Sequence, residues 1–296
     1  ITLDNGFTIE ATPEHKWFVR TQTSKQVYSS TVIKKTSELI EGDKLIKFSL
    51  EPVTHGTNEL DHAYANGFHT ATGTAYVATQ KPRLSLYGNK HVVLPRLTGY
   101  SSVTTDNSNR ISVNYKKGIL QDKFFIPNTT YSVQSRLLWL AGLLDGDGTV
   151  INNGTAQGLQ LVSANKQFLK ELLLTLQELG VHSTISKTRD AGYYKLPANG
   201  DSDTLKEYWC KTAYRILIGS LGIKHLLDLG MVCTRLQLRY VSNPKSALRY
   251  TKVVSVVDEG KEIATYCGNE PKQNKLMLNG VITHNCSEIT LHQDEK

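Results

Sequence analysis

SRLLWLAGLLDGDGTV, residues Ser135 to Val150, is the stretch that decides how the middle of this chain folds. Leu137, Leu138, Leu140, Ala141, Leu143 and Leu144 suit a buried helix, and Asp145, Gly146, Asp147 and Gly148 then end it. Downstream the pattern alternates: strand-like GLQLVS, a helix over NKQFLKELLLTLQELG, strand-like HSTISKTR, then YWCKTAYRILIG. In that helix Phe168, Leu169, Leu172, Leu173, Leu176 and Leu179 are spaced for one buried face, so they are core. Upstream, Lys81, Arg83, Lys90, Arg96, Arg110, Lys116, Lys117 and Lys123 lie among alternating Tyr, Val and Leu, opposed only by Asp106 and Asp122. Basic side chains on alternating strands suit a sheet laid on DNA, where phosphates supply affinity; an ordinary solvated sheet face is the alternative. Lys187, Arg189, Lys211 and Arg215 are the corresponding candidates after the helix.

LAGLLDGDG is nearly verbatim the LAGLIDADG motif, and on that motif the segment resembles the homing endonucleases. The resemblance implies an α/β domain of two αββαββα-like repeats. Two such helices pack side by side through small residues, here Ala141 and Gly142, and each presents an acidic residue at its lower end to a divalent metal. Asp147 is the matching position. The expected second copy is AYANGFHTATGT, Ala63 to Thr74, in which Gly67 matches Gly142, Gly73 matches Gly148 and Thr74 matches Thr149. An accidental glycine spacing is the alternative. Thr70 stands where Asp145 does, and Thr72 where Asp147 does. Magnesium needs negatively charged oxygen ligands to offset its dehydration, so a hydroxyl in place of one carboxylate weakens a shared site. The expectation is a degenerate Mg2+-dependent endonuclease that keeps weak binding to double-stranded DNA; an active site-specific endonuclease is the rival.

Length and charge leave room for this. At 296 residues the chain is long enough for about two domains. The 34 Lys and Arg against 27 Asp and Glu, a net +7, permit a nucleic-acid surface without proving one. No apolar run approaches the roughly 20 residues of a membrane span. Residues Ile1 to Arg20 lack a signal-peptide pattern, and four cysteines without a CxxC pair argue against a disulfide scaffold or structural zinc. The expected compartment is the cytoplasm.

The two ends carry a different chemistry. ITLDNGFTIEATPEHKWFV alternates around Asn5-Gly6, a pair that favours a tight hairpin turn, so two strands are expected there. At the other end, NGVITHNCSE sets His284, Asn285 and Cys286 side by side. An Asn amide can attack its own backbone carbonyl and break the chain when an imidazole polarises that carbonyl, and a thiol can accept an acyl group. Near the start, Thr12 and His15 sit three residues apart after a strand. With VIKKTSELIEGDKLIKF, residues 32 to 48, these segments resemble the splicing domain of an intein, over about residues 1 to 55 and 245 to 286. That resemblance implies an all-β Hedgehog/intein (HINT) fold, discontinuous in sequence. It implies that Thr12 and His15 strain and protonate the upstream amide, that His284 assists cyclisation of Asn285, and that Cys286 takes over the acyl group. No cofactor is implied for splicing. Cys267 stands where many inteins carry an Asp, and Asn274 where many carry a His; Cys267 as a plain buried strand residue is the alternative.

The family's first nucleophile should lie dozens of residues before Thr12, yet the sequence starts only eleven residues before it. The expectation is the C-terminal piece of a split intein, working with a separate N-terminal fragment that carries the nucleophile; truncation is the alternative. Pattern switches give the expected segments: 1–55 first splicing part, 56–241 endonuclease insert, 242–285 second splicing part, 286–296 flanking host residues. CSEITLHQDEK resembles the active-site strand of ribonucleotide reductase large subunits, which makes that protein the expected host.

Overall fold

Helix α1 (Ala63–Thr72) and helix α2 (Val133–Asp147) pair along their length in the computed structural model of the chain. The structure describes residues 1–21, 30–75, 81–154, 156–198, 201–242, 244, 250–262, 264, 268 and 270–285. It divides into two compact units, Glu51–Ser246 and Ile1–Leu50 with the described part of Ala247–Lys296.

In the first of these the two helices touch backbone to backbone. A Cβ on Gly67 would stand 1.8 Å from the Trp139 carbonyl oxygen, and one on Gly142 would stand 2.0 Å from that of Tyr64. Only glycine permits this approach. Almost every side chain of α2 from Ser135 to Gly146 is buried, including Trp139 and Arg136, so the helix is core on all sides. Burying a side chain of the size of Phe68 or Trp139 contributes roughly 2–3 kcal/mol. Ser132 caps α2 by accepting the Ser135 N–H at 3.1 Å, satisfying one of the helix's orphan donors.

Each helix leads into an antiparallel sheet. After α1 the order is Thr74–Ala75, Pro82–Leu86, Ile111–Asn114, Ser102–Thr105; after α2 it is Ser183–Arg189, Ala213–Ile218, Ala156–Ser163, Thr149–Asn153. Helices α3 (Lys166–Glu178) and α4 (Ser220–Asp228) belong to the second repeat, with Asn165 capping α3 through the Phe168 N–H at 3.0 Å. The first repeat departs from the expected αββαββα pattern. Its middle helix is replaced by 3-10 turns over Gly88–Arg96, which contain Pro95 and begin at Gly88 with φ +52°. Proline removes a helical donor and clashes with the preceding turn, so an α-helix cannot run through. The segment YWCKTAYRILIG, expected as one run, breaks at residues 211–212. Its first part joins a two-stranded ribbon, Gly192–Ala198 with Asp201–Cys210.

The other unit is a seven-stranded antiparallel sheet in the order Thr2–Leu3, Tyr250–Ser255, Lys44–Ile46, Lys16–Thr21, Val281–His284, Lys275–Leu278, with Ser30–Lys35 also on Lys16–Thr21. Early and late parts of the sequence are therefore interleaved within one sheet. Inward residues at period two, Trp17 and Val19 from one strand and Leu45, Val253 and Val281 from others, form its core with Leu3, Ile9 and Leu39. The Asn5-Gly6 turn is present, with Gly6 at φ +94° and Asn5 Oδ1 accepting the Phe7 N–H at 3.1 Å. Its second arm is a single bridge at Thr8, shorter than the expected strand.

Candidate functional site

The late strand Val281–His284 brings the terminal motif into the sheet beside the first one, since Thr283 is in register with Trp17. His15 and Thr283, 268 residues apart, bond through Nε2 and Oγ1, and Thr283 Oγ1 donates to the Lys16 carbonyl at 3.0 Å. The His15 N–H returns to the Thr12 carbonyl at 3.1 Å, and its ring meets Trp17 edge-on at 4.8 Å. His284 stacks on Phe18, ring centroids 6.0 Å apart.

Asn285, only 4% exposed, is held at three atoms. His284 Nδ1 lies 2.6 Å from the Asn285 carbonyl oxygen. A carbonyl oxygen only accepts, so Nδ1 carries the hydrogen and polarises that carbonyl. The Asn285 N–H donates to the Asn274 carbonyl at 3.0 Å, and Asn285 Nδ2 donates to the Glu270 carbonyl at 3.1 Å. Asn274 takes part through its backbone, at φ +54°. Cys267 and Cys286 lie outside the described residues.

A second constellation lies at the C-terminal ends of α1 and α2. Asp145 is fully buried and accepts four hydrogen bonds: Tyr64 Oη at 2.7 Å, and the N–H groups of Thr234, Arg235 and Leu236 at 2.6, 2.9 and 3.0 Å. Burial beside this carboxylate drives the Tyr64 phenol far above its usual range and raises the Cys233 thiol. Arg235 answers the orphan carbonyls of α2, donating to Leu144 O at 3.0 Å and Gly148 O at 2.6 Å. Lys123 does the same for α1, with Nζ 3.3, 3.2 and 2.6 Å from the carbonyls of His69, Ala71 and Gly73. His69, buried near that ammonium, is pushed down to about 4, burial being the larger cause and Lys123 the next.

Asp147 stands apart from its neighbour: its side chain is 43% exposed and pairs with Lys90 at 3.2 Å. A divalent ion shared between the helix ends needs a charged oxygen from each. Helix α1 offers the Thr72 hydroxyl, which donates to Phe68 O at 3.3 Å, and the Lys123 ammonium already takes the carbonyls at that end. These residues do not fit a shared magnesium site. Among the described residues no group of three or more His, Cys, Asp or Glu side chains is gathered as metal ligands.

The basic candidates separate by environment. Lys81, Lys116, Lys117 and Lys211 are exposed. Arg96 is turned to its own fold, donating to Val232 O and Thr234 Oγ1 at 3.1 Å each and lying 4.3 Å from the Tyr64 ring centre. Arg110 pairs with Asp106 at 2.8 Å and Lys187 with Asp190 at 2.6 Å. Arg83 bonds Ser112, Arg189 lies over Tyr194 at 4.7 Å, and Arg215 donates to Ser186 Oγ at 3.1 Å.

Comparison with known proteins decides what α2 and the elements after it belong to. The profile of the LAGLIDADG-like domain matches residues 134–228, from α2 through α4. This part of the chain is a LAGLIDADG-like domain. Its fold is the expected α/β one, and its Gly142 sits where α2 meets α1 opposite Gly67. The whole chain is similar to the ribonucleoside-diphosphate reductase large subunit of Invertebrate iridescent virus 6, 34% identical over 99% of this chain and 31% of that protein. It also resembles the ribonucleoside-diphosphate reductase NrdEB subunit alpha of Bacillus subtilis strain 168, 24% identical over 96% of the chain and 30% of the relative. The chain thus spans about a third of the length of these relatives. Among solved structures, the N-terminal LAGLIDADG domain of DUF199/WhiA matches at 14% identity and TM-score 0.34, covering 63% of this chain and 87% of that one. I-DmoI in complex with DNA and Mn matches at 11% and 0.33, covering 58% and 94%. No helix among the described residues is long and apolar enough to cross a membrane.

Sequence reading did not single out Arg235, and it placed Lys123 on a DNA-facing sheet. Glu270 was also missed. Each acts through backbone carbonyls far away in sequence, and no local spacing signals that.

Proposed function

We propose that the chain is the C-terminal part of an intein, interrupting a ribonucleotide reductase large subunit and carrying a LAGLIDADG-like DNA-binding insert. The observation that carries this reading is the hold on Asn285: carbonyl polarised by His284, backbone N–H on Asn274, side-chain nitrogen on Glu270. In the reaction, Asn285 Nδ2 bonds to the Asn285 carbonyl carbon and the peptide bond to Cys286 breaks. The proton lost by Nδ2 goes to the released Cys286 amine. Before that, Cys286 accepts an acyl group from an upstream nucleophile on an N-terminal fragment outside these 296 residues, with Thr12 and His15 acting on the amide that is broken first. Splicing then needs no cofactor. The reductase host is supported by viral and bacterial reductase subunits that align with nearly all of this chain, insert included, and by the tail CSEITLHQDEK. A reductase host implies a cytoplasmic setting.

For the insert we favour weak binding to double-stranded DNA through Lys81, Lys116, Lys117 and the sheet around Arg215, with cleavage impaired because Thr72 and Lys123 leave no shared magnesium site. The test is to mix the chain with a synthetic N-terminal fragment that bears a Cys nucleophile and a reporter, then to read intact masses. Reporter joined to CSEITLHQDEK, lost in Asn285→Ala and Cys286→Ala, is the expected outcome. A chain that neither joins nor releases its tail overturns the reading.

A further inference from the structure

We propose that Glu270 is a positioning residue for Asn285 cyclisation, acting through a carboxylate-tied turn; the inference rests on the functional reading above. Residues 270–274, Glu-Pro-Lys-Gln-Asn, present two carbonyls to Asn285, one at each end of the turn. The Glu270 carbonyl accepts Asn285 Nδ2 at 3.1 Å and the Asn274 N–H at 3.2 Å, using both lone pairs. The Asn274 carbonyl accepts the Asn285 N–H at 3.0 Å.

The side chain of Glu270 closes the same turn. Oε1 accepts the Lys272 N–H at 3.0 Å and Oε2 accepts the Gln273 N–H at 2.7 Å. A carboxylate accepting backbone N–H groups forms charge-assisted bonds, stronger than neutral ones, and it holds the turn at the geometry that aims the main-chain carbonyl at Nδ2. The turn ends in a left-handed residue, Asn274 at φ +54°, whose N–H is held by the Glu270 carbonyl at 3.2 Å, so both the backbone and the side chain of Glu270 brace it.

Consequences for the reaction follow from where Nδ2 sits. The nucleophile of cyclisation is an amide nitrogen, a poor one, and its attack depends on being held against its own carbonyl carbon. His284 fixes the oxygen of that carbonyl, and the Glu270–Asn274 turn fixes the two nitrogens of the same residue. A hydrogen bond from Nδ2–H to the Glu270 oxygen also removes rotamer freedom from the side chain before the bond forms. When Nδ2 attacks, the new carbon–nitrogen bond closes the succinimide, the bond to Cys286 opens, and the Nδ2 proton passes to the departing amine. Glu270 gains and loses no atoms; it places the nucleophile.

The experiment compares tail release from the full chain in the wild type, Glu270→Ala, Glu270→Gln and Asn285→Ala, by intact mass. In parallel, unreacted protein labelled with 15N-Asn and 15N-Trp reports the Asn285 side-chain NH2 resonance, assigned by its loss in Asn285→Ala. Glu270→Ala is expected to slow release about tenfold, and Glu270→Gln, which keeps one acceptor, falls between. The Asn285 NH2 protons move toward free-amide values in Glu270→Ala, while the Trp17 indole N–H, bonded to Thr36 Oγ1 at 2.9 Å, stays in place as proof that the sheet is folded. Release at the wild-type rate in Glu270→Ala, with Asn285→Ala inactive, overturns the role of Glu270 and leaves the function standing. Slow release without movement of the NH2 resonance also overturns positioning. Wild-type protein that, mixed with the N-terminal fragment, neither joins nor releases its tail in an Asn285-dependent way refutes the function, and this role with it.

Discussion

Replacing Asp145 by Asn separates two carboxylates that stand two residues apart in the motif. The Oδ1 atom of Asp145 accepts the N–H groups of Arg235 and Leu236, and Oδ2 accepts Tyr64 Oη and the Thr234 N–H. An Asn keeps one oxygen and turns an NH2 toward the other two donors. The Tyr64 hydroxyl can turn to accept from that NH2, but the Thr234 N–H is left without an acceptor, which costs about 1–3 kcal/mol, and the remaining bonds lose their charge assistance. Asp147→Asn removes a half-exposed pair with Lys90, which is worth about 0–1 kcal/mol. The four helices α1 to α4 all lie in residues 51–246, so loss of the far-ultraviolet helix signal in urea reports that unit. Asp145→Asn should lower the midpoint strongly and Asp147→Asn hardly at all. Equal shifts, or an Asp145→Asn change within about 0.5 kcal/mol, refute the assignment of Asp145 to structure.

Acid should weaken the same unit through His69. The unfolded imidazole takes a proton below about pH 6.5, the folded one only near about 4, so stability is lost as pH falls across that window, by up to about 3 kcal/mol; urea midpoints measured from neutral to acid pH should lose this slope in His69→Leu. Gly142→Ala places a Cβ 2.0 Å from the Tyr64 carbonyl, and forcing the helices apart should cost about 1–3 kcal/mol or more in thermal unfolding. At Asn274, with φ +54°, a glycine tolerates the backbone and a β-branched residue does not, so Asn274→Val should release the tail more slowly than Asn274→Gly in the intact-mass assay. Magnesium added to DNA bearing an uninterrupted reductase site should give binding by gel shift without efficient double-strand cutting; rapid cutting contradicts the misfit at Thr72 and Lys123.

Much of the helix pair was legible because its signals are local. The glycines and apolar run of Ser135–Val150 mark a buried helix within one stretch, and the matching glycines of Ala63–Thr74 mark its partner. Pro95 was a readable warning that the first repeat would lack its middle helix, and it was passed over. The roles of Asp145 and Asp147 could not be told apart, since what distinguishes them is a backbone segment about ninety residues further on that fills one carboxylate with N–H groups. At the splicing end, the TxxH and His-Asn motifs were visible, but their meeting across the sheet through Thr283 depends on strand order, which no spacing encodes. Glu270 was invisible for the same reason: its contribution to Asn285 is a main-chain carbonyl, which every residue owns.

The central claim is that Asn285 cuts the chain at its own carbonyl. Its most direct test is the mass of the fragment ending at Asn285 after incubation of the purified chain with a thiol. The expected fragment is one water lighter than the hydrolysis product, as a C-terminal succinimide requires, it appears together with free CSEITLHQDEK, and both vanish in Asn285→Ala. A fragment with the mass of the free acid, or tail release that persists in Asn285→Ala, contradicts the claim.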